Sequence, residues 1–446
     1  MIRIAIEDPA NRLPEGSRSL LPSQVSGVLL VPDRGVPVHP DSVLELAKRM
    51  EMGKPLQLVP EVPVASELGL PAWEPVLVWL PGTRLGRWAR RLLGAFEGLE
   101  RVIDSGPASR VHYFGRHYAA LAPRPLQVSV VVSNACNLAC VMCPYHSPAI
   151  RATHRNDYFE RREFMSFDMM DAIASQCGEQ RIPVKIGNVE EPLLHPRILD
   201  FVRLCRERGV PSVHITTNGT PLTEKRIVSL LDAGVTSIYV SIDASRPDTY
   251  RRIRGGDLER VESAVRNLLR IRKELGRNCA VMTAFVKNEG VSTEEVDEFR
   301  ERWVREADGV ILYNLVEYEE GASHVSEIHD IVDARVRDAG GRWACLNPFQ
   351  ELYILPDGRS YYCCETIGKL AFEDLEHMGR FPEHSLLEIW SGPAFEALRC
   401  DLLTGELEDR PACRDCGIWM AHVTATEKRE GREITRNMIT EIVRRT

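Results

Sequence analysis

The sequence predicts an α/β protein: a partial (β/α)6 barrel, preceded by an N-terminal α/β domain and followed by a small Cys-rich C-terminal domain. Three observations predict it. Six strand-like runs alternate with helical patterns after residue 126, which implies parallel strands with helices outside them. Two groups of cysteines stand apart, one directly after the first strand of that series and one near the C-terminus. The length, 446 residues, suits about three domains, here placed at 1–122, 123–320 and 321–446.

In the first segment the strand candidates are Val25 to Pro32, Pro55 to Pro60 and Pro75 to Leu80. Asp41 reads as the N-cap of a helix reaching Met50, and Gly82 to Gly98 as a basic amphipathic helix. Neither a dinucleotide-binding nor a phosphate-binding glycine loop is present. Ala122-Pro123-Arg124-Pro125 reads as a stiff boundary. The barrel strands are then Val128 to Val132, Val184 to Gly187, Ser212 to Thr216, Ser237 to Ile242, Ala280 to Val286 and Val310 to Leu315. The helices between them are Ser166 to Cys177, Pro196 to Arg208, Thr223 to Asp232, Leu258 to Leu275 and Ser292 to Glu306, with Gly209 and Gly234 as stop signals after two of them. Six units rather than eight suggest an open barrel, and ligands of such sheets sit at the carboxyl ends of the strands. Beyond residue 320 the rhythm breaks into turns and cysteines, with one helix expected over Leu386 to Leu402.

Composition narrows the class. A net charge of -8 with scattered basic residues argues against a nucleic-acid footprint. No apolar run reaches membrane-spanning length, and Met1 to Ile6 lack the features of a signal peptide. The expectation is a cytoplasmic protein. In a reducing compartment its twelve cysteines read as core residues or metal ligands rather than disulfides.

The first group is Cys136-Asn137-Leu138-Ala139-Cys140-Val141-Met142-Cys143, a C-x3-C-x2-C spacing. Three close thiolates on a loop suit one soft metal centre. On a four-iron cubane they leave one iron open for a small ligand. The alternative is a zinc knuckle with His146 as fourth ligand. Later strand ends carry Glu190-Glu191-Pro192-Leu193-Leu194-His195-Pro196, Thr216-Thr217-Asn218-Gly219, Ser241-Ile242-Asp243 and Arg251-Arg252-Ile253-Arg254. In this order they resemble the radical SAM enzyme family, over residues 126 to 318.

That resemblance implies a [4Fe-4S] cluster on Cys136, Cys140 and Cys143, its open iron binding S-adenosylmethionine (SAM). It further implies reductive cleavage to a 5′-deoxyadenosyl radical and an electron donor such as flavodoxin or ferredoxin. The SAM amino group would meet Glu190 or Glu191; Val189-Glu190 replace the family's usual glycine pair. Thr217, Asn218, Ser241 and Asp243 would line the SAM site, and Arg252 or, by preference, Arg254 would pair its carboxylate. Met142 would lie near adenine. His195 reads as a structural residue of the strand-to-helix turn.

The second group is Cys345, Cys363, Cys413 and Cys416, with a Pro356-Asp357-Gly358 hairpin turn bringing Cys345 and Cys363 together. It resembles the SPASM or twitch domain of many radical SAM enzymes. The resemblance implies one auxiliary [4Fe-4S] cluster, since no cysteine follows Cys416; a zinc ribbon is the alternative. Cys177, Cys205 and Cys279 read as core. Cys364, beside a cluster ligand, is the candidate catalytic residue: its thiol could return a hydrogen atom to a substrate radical, or serve as an alternative ligand. Cys400 is a further ligand or donor candidate. Tyr313, Asn314, Glu317 and Tyr318 are candidate substrate contacts.

These parts suit oxidation, epimerisation or bond formation. The N-terminal segment does not read as a winged peptide-recognition domain. The expected reaction is therefore epimerisation or oxidation of a small molecule, such as a carbohydrate or an aminoglycoside-like natural product. Crosslinking or epimerisation of a peptide is the alternative, and a non-enzymatic metal-binding partner protein the other. No cobalamin signature appears.

Overall fold

The computed structural model describes residues 4–5, 29–30, 76–79, 102–106, 109–113, 124–149, 157–159, 162–288, 290–314, 342, 345–369, 377–404, 406–414, 416–422, 425–437 and 439–446. Two compact units run through the chain: one comprises Met1–Arg124, Ser326–Gln350 and Pro393–Val423, the other Pro125–Val325, Glu351–Gly392 and Thr424–Thr446.

The first unit holds a five-stranded sheet of β1 (Ile4–Ala5), β2 (Leu29–Leu30), β3 (Val76–Trp79), β4 (Val102–Gly106) and β5 (Ser109–Tyr113), in the order β2-β1-β3-β5-β4. Strands are found inside the expected runs 25–32 and 75–80. The β4–β5 hairpin was not expected. The run 55–60 and the helices over 41–50 and 82–98 lie outside the described residues. In the same unit, Arg399 donates from Nε to the Pro348 carbonyl (2.8 Å). Its guanidinium lies over Phe395, 4.6 Å from the ring centroid, which ties helix Pro393–Thr404 to helix Asn347–Gln350.

The second unit is built on β6 (Gln127–Val130), β7 (Val184–Ile186), β8 (Val213–Thr217), β9 (Ser237–Ser241), β10 (Ala280–Lys287) and β11 (Gly309–Asn314), all parallel and adjacent in chain order. This is the strand set of a partial (β/α)6 barrel. The crossovers carry α1 (Phe167–Glu179), α2 (Ile198–Glu207), α3 (Glu224–Ala233), α4 (Pro247–Arg254), α5 (Leu258–Glu274) and α6 (Thr293–Glu306). Their starts follow from capping side chains. Ser166, Thr223, Asp257 and Ser292 each accept from the backbone N–H three residues on. Gly234 ends α3 at φ +95°. Helix α4 was not expected; it opens on Pro247 at its first position, and its arginines had been read only as a motif.

Alternation sorts the strand residues. Val128, Val130, Val184, Ile186, Val213, Ile215, Ile238 and Val240 are buried, as are the apolar residues Phe201, Ile227, Leu230, Val265 and Leu268 of the crossover helices. Residues of opposite parity, Lys185, His214, Thr216, Ser237, Tyr239 and Ser241, are half-buried and form a second, polar face. Cys177, Cys205 and Cys279 are buried, as expected of core thiols.

Both edges of the parallel sheet are covered. On one side β12 (Glu351–Ile354) pairs in parallel with β6, followed by β13 (Arg359–Tyr361) and β14 (Gly379–Arg380). On the other, β17 (Thr440–Arg445) pairs antiparallel with β11, followed by β16 (Arg432–Arg436) and β15 (Ala425–Arg429). The last three strands were not expected, because their sequence is charged rather than apolar. Ion pairs support them instead: Arg436–Glu441 and Arg436–Glu427 across the strands at 2.6 Å, and Arg432 to Glu301 of α6 at 2.6 Å. The single helix expected over 386–402 is two, Leu386–Trp390 and Pro393–Thr404. Pro393 disfavours helical geometry at Gly392 before it and lacks the N–H that continuity needs.

Gly187 ends β7 at φ +94°, and a Cβ there would stand 2.2 Å from the Thr216 carbonyl oxygen. Gly187→Ala is therefore expected to destabilise the protein by about 2 kcal/mol or more, measured as a lowered urea midpoint of the cluster-loaded chain. An unchanged midpoint would mean that the two strand ends separate freely.

Candidate active site

The loop after β6 is pinned at many points. Asn134 donates from Nδ2 to the Tyr158 carbonyl (2.6 Å) and accepts from Glu163 N (2.7 Å). Val141 N donates to the Ile253 carbonyl (2.9 Å) and Glu191 N to the Ala135 carbonyl (3.0 Å). Asn137 reaches Thr220 Oγ1 (2.8 Å), Tyr145 OH donates to the Cys364 carbonyl (2.8 Å), and His146 Nε2 bonds the Val189 carbonyl (2.7 Å).

This loop carries Cys136, Cys140 and Cys143 close enough to affect one another. Burial pushes Cys136 up to about 12, with Glu191, Cys140 and Cys143 adding to the shift and the Leu138 N–H opposing it. Burial also raises Cys143, against N–H groups of Tyr145, His146 and Ser147 that face its sulfur. Mutually opposed buried thiols with backbone donors around the sulfurs fit a cationic centre that would hold them as thiolates. Among the described residues, no three His, Cys, Asp or Glu side chains are disposed around a single ion.

The strand ends meet this loop. Glu191 is buried; its Oε1 accepts from Thr217 Oγ1 (2.7 Å) and Leu193 N (3.1 Å), its Oε2 from Asn218 N (2.6 Å). Asn218 donates in turn to Asn137 Oδ1 (2.9 Å) and lies 3.9 Å from Cys136 Sγ. Glu190 accepts from Val132 N (3.1 Å) and Val189 N (3.0 Å). Burial pushes both carboxyls up to about 7, against these donors. Asp243, fully buried at φ +62°, accepts from Val286 N (2.7 Å) and Arg254 Nε (2.7 Å). Arg254 Nη1 is buried with no acceptor, and the guanidinium acts on Cys140, lowering its otherwise raised pKa. An unfilled guanidinium N–H beside the cysteine loop fits an incoming carboxylate.

The structure thus gathers Glu191, Thr217, Asn218, Asp243 and Arg254 around the three-cysteine loop. Ser241 ends β9, half-buried on the polar face, and Met142 is half-buried in the loop itself. Arg252 goes elsewhere: it is exposed and bonds the Gly290 carbonyl (3.0 Å). His195 is the structural residue expected, accepting from Arg197 N at Nδ1 (3.1 Å) and facing the Met165 carbonyl with Nε2 (3.0 Å).

In the first unit, Cys345, Cys413 and Cys416 are neighbours. Burial pushes Cys345 up to about 12, and Cys416 and Cys413 raise it further. In the second unit Cys363 is buried and follows β13; half-buried Cys364 packs with Cys143 on an apolar cluster that includes Tyr145, Tyr353 and Tyr361. Glu317 and Tyr318, and the side chain of Cys400, lie outside the described residues. The sequence reading missed Lys185, His214, Tyr239 and Glu351 on the polar face. Their signal was faint: a lysine alternating with apolar residues in Val184-Lys185-Ile186.

A parallel barrel sheet with three free thiols on the loop after its first strand suits an enzyme built on a metal cluster. The chain matches the Radical SAM superfamily over residues 130–301 and the SPASM iron-sulfur cluster-binding domain over residues 345–417. It therefore carries a radical SAM domain followed by a SPASM domain, and these imply SAM and two [4Fe-4S] clusters as its cofactors. A probable GTP 3′,8-cyclase of Methanothermobacter marburgensis is 35% identical over 147 residues, 32% of this chain and 44% of that protein. The GTP 3′,8-cyclase of Alkaliphilus metalliredigens is 28% identical over 172 residues, 38% of this chain and 50% of that one. The chain spans about half the length of the curated relatives it matches. Among solved structures, BtrN in complex with AdoMet and 2-DOIA is 17% identical with a TM-score of 0.40, covering 66% of this chain and 93% of BtrN. Streptococcus suis SuiB bound to its precursor peptide SuiA is 15% identical with a TM-score of 0.48, covering 62% and 67%. These two likenesses are too distant to bear on the reaction. No helix among the described residues is long and apolar enough to cross a membrane.

Two outcomes follow. Anaerobic reconstitution should give about eight irons per chain, and the Cys136→Ala/Cys140→Ala/Cys143→Ala variant about four, by iron and sulfide analysis; equal iron in both would remove the loop from cluster binding. A carboxyl raised on folding stabilises the fold below its unfolded value of about 4.3, and that contribution is lost as pH rises, here through about 7 for Glu190. The melting temperature of Glu190→Gln should therefore fall less than wild type between pH 5 and 7.

Proposed function

We propose that this chain is a radical SAM enzyme that epimerises a small molecule such as a carbohydrate or aminoglycoside-like natural product, with Cys364 returning the hydrogen atom. When bound, the first cluster and SAM supply the 5′-deoxyadenosyl radical that takes a hydrogen atom from the substrate. The residues of the chain hold and finish the reaction. Arg254, fixed by Asp243, offers an N–H to the SAM carboxylate. Asn218 steadies the loop beside Cys136, and Ser241 and Met142 line the same end of the sheet.

The observation that carries the reading is the position of Cys364. Its carbonyl is bonded by Tyr145, two residues beyond Cys143, and Cys143 and Cys364 pack on one apolar cluster. Its thiol is near enough to act on Lys185, Tyr313 and Tyr353, which supports a place beside the polar side of the barrel sheet. There the S–H bond can break towards a substrate carbon radical, giving a C–H bond and a thiyl radical on Sγ. One electron from an external donor such as flavodoxin or ferredoxin, with one proton, restores the thiol. The GTP 3′,8-cyclase likeness covers about a third of the chain and supports the shared radical-generating half rather than a common substrate.

The test is SAM turnover with dithionite in D2O, screened against aminoglycosides and peptides. Wild type should form 5′-deoxyadenosine and place solvent deuterium in the product. Cys364→Ala should still form 5′-deoxyadenosine but give no deuterated epimer. Deuterated epimer from Cys364→Ala would assign the donor elsewhere. An oxidised product from wild type, or turnover of peptides alone, would replace epimerisation of a small molecule.

A further inference from the structure

Lys185 is a cation on the polar face. It sits at the middle of β7, in register with Ser129 of β6 and His214 of β8. Its ammonium stands 3.6 Å from Glu351 Oε1 with 28% of the side chain exposed, beyond the reach of a good hydrogen bond. Glu351 is satisfied by others: Gln127 Nε2 (2.7 Å), Tyr353 OH (2.8 Å) and Ser129 Oγ all donate to it. The carboxylate thus holds Lys185 in place by charge and one long contact, and an ammonium has three N–H donors. Burial acts against the lysine charge, and Glu351, Cys364 and Tyr313 more than offset it, so the group stays an ammonium. The side chain is thus partly exposed beside a carboxylate that keeps it charged.

The neighbours suit a small polar ligand. His214 bonds Ser237 Oγ (2.8 Å) and Thr216 Oγ1 (3.0 Å) and meets the Tyr239 ring edge-on with centroids 4.1 Å apart. Burial and Lys185 push it down to about 3, so it is neutral. Tyr239 and Tyr313 flank a patch of Met282, Ala284 and Ile311. The face therefore offers one ammonium, neutral hydroxyls and an apolar floor.

We propose that Lys185 anchors a substrate carboxylate on the polar face, next to Cys364, and so selects an acidic sugar over a polyamine among the small molecules proposed above. A monoanion is specified because Glu351 already neutralises most of the lysine charge; a phosphate dianion or a polyphosphate would be repelled by that carboxylate. The inference rests on reading this face as the substrate side, and names the group by which a substrate is held there.

The test uses Cys364 as a reporter in the anaerobic, cluster-loaded chain and needs no radical chemistry. Cys364 is alkylated with iodoacetate or with its neutral isostere iodoacetamide, and labelling is followed by peptide mass spectrometry. In Lys185→Met the ratio of the iodoacetate to the iodoacetamide rate at Cys364 should fall by about fivefold or more; in Lys185→Arg it should be largely kept. In wild type, propionate should slow the iodoacetamide reaction where propionamide and inorganic phosphate at equal concentration do not, which serves even if Lys185→Met fails to fold. An unchanged ratio, protection by phosphate alone, or no labelling of Cys364 by either reagent would overturn the proposal. Absence of 5′-deoxyadenosine formation would instead sink the proposed reaction and leave the carboxylate anchor standing.

Discussion

Side chains on a strand can point only two ways, and in this barrel one of them is closed. The residues Val184, Ile186, Val213, Ile215, Ile238 and Val240 are buried, so polar side chains of β7 to β9 must go to the opposite face or to the strand ends. The three-cysteine loop, the glutamates and the Asp243–Arg254 pair occupy the ends. Lys185, His214 and Tyr239 occupy the face. Parallel pairing places all those ends on one side of the sheet, which is why residues following three separate strands, β7 to β9, reach the loop that follows β6.

Gathering them has an electrostatic cost that the surroundings offset. Glu191, Asp243 and Arg254 are buried and Glu190 half-buried, and each carboxylate accepts at least two donors. A buried charge with satisfied lone pairs is stiff, because any movement leaves it unpaired. The same bonds that keep these groups in place therefore fix the cysteine loop relative to the strand ends. Arg254 is the exception in one atom, its Nη1, and its guanidinium acts on Cys140.

The edges of the sheet matter as much as its centre. An open parallel sheet leaves unpaired backbone groups on both outer strands. Here β12 covers one and β17 the other, and β12 also brings Glu351 to the polar face while the hairpin it begins leads to Cys363 and Cys364. Closing an edge and completing the candidate substrate side are thus one structural act.

Much of this was legible in the residues. The two-residue alternation of the strands, the caps Ser166, Thr223 and Ser292, the stop at Gly234 and the C-x3-C-x2-C loop are local signals, set by backbone geometry within a few positions, and they announced the barrel and its cluster loop. The charged strands β15 to β17 gave no such signal, since ion pairs across strands leave no apolar period. Nor did helix α4, whose arginines drew attention away from its Pro247 start. What only the tertiary structure decided is long-range pairing. Tyr145 meets Cys364 at a separation of 219 residues, Lys185 of β7 meets Glu351 of β12 across β6, and Arg254 finds Asp243 while Arg252 turns away to Gly290. No periodicity encodes such meetings, because they depend on which strand ends up beside which. The sequence by itself determined what chemistry the chain can hold; the pairing of strands decided which side chains face it.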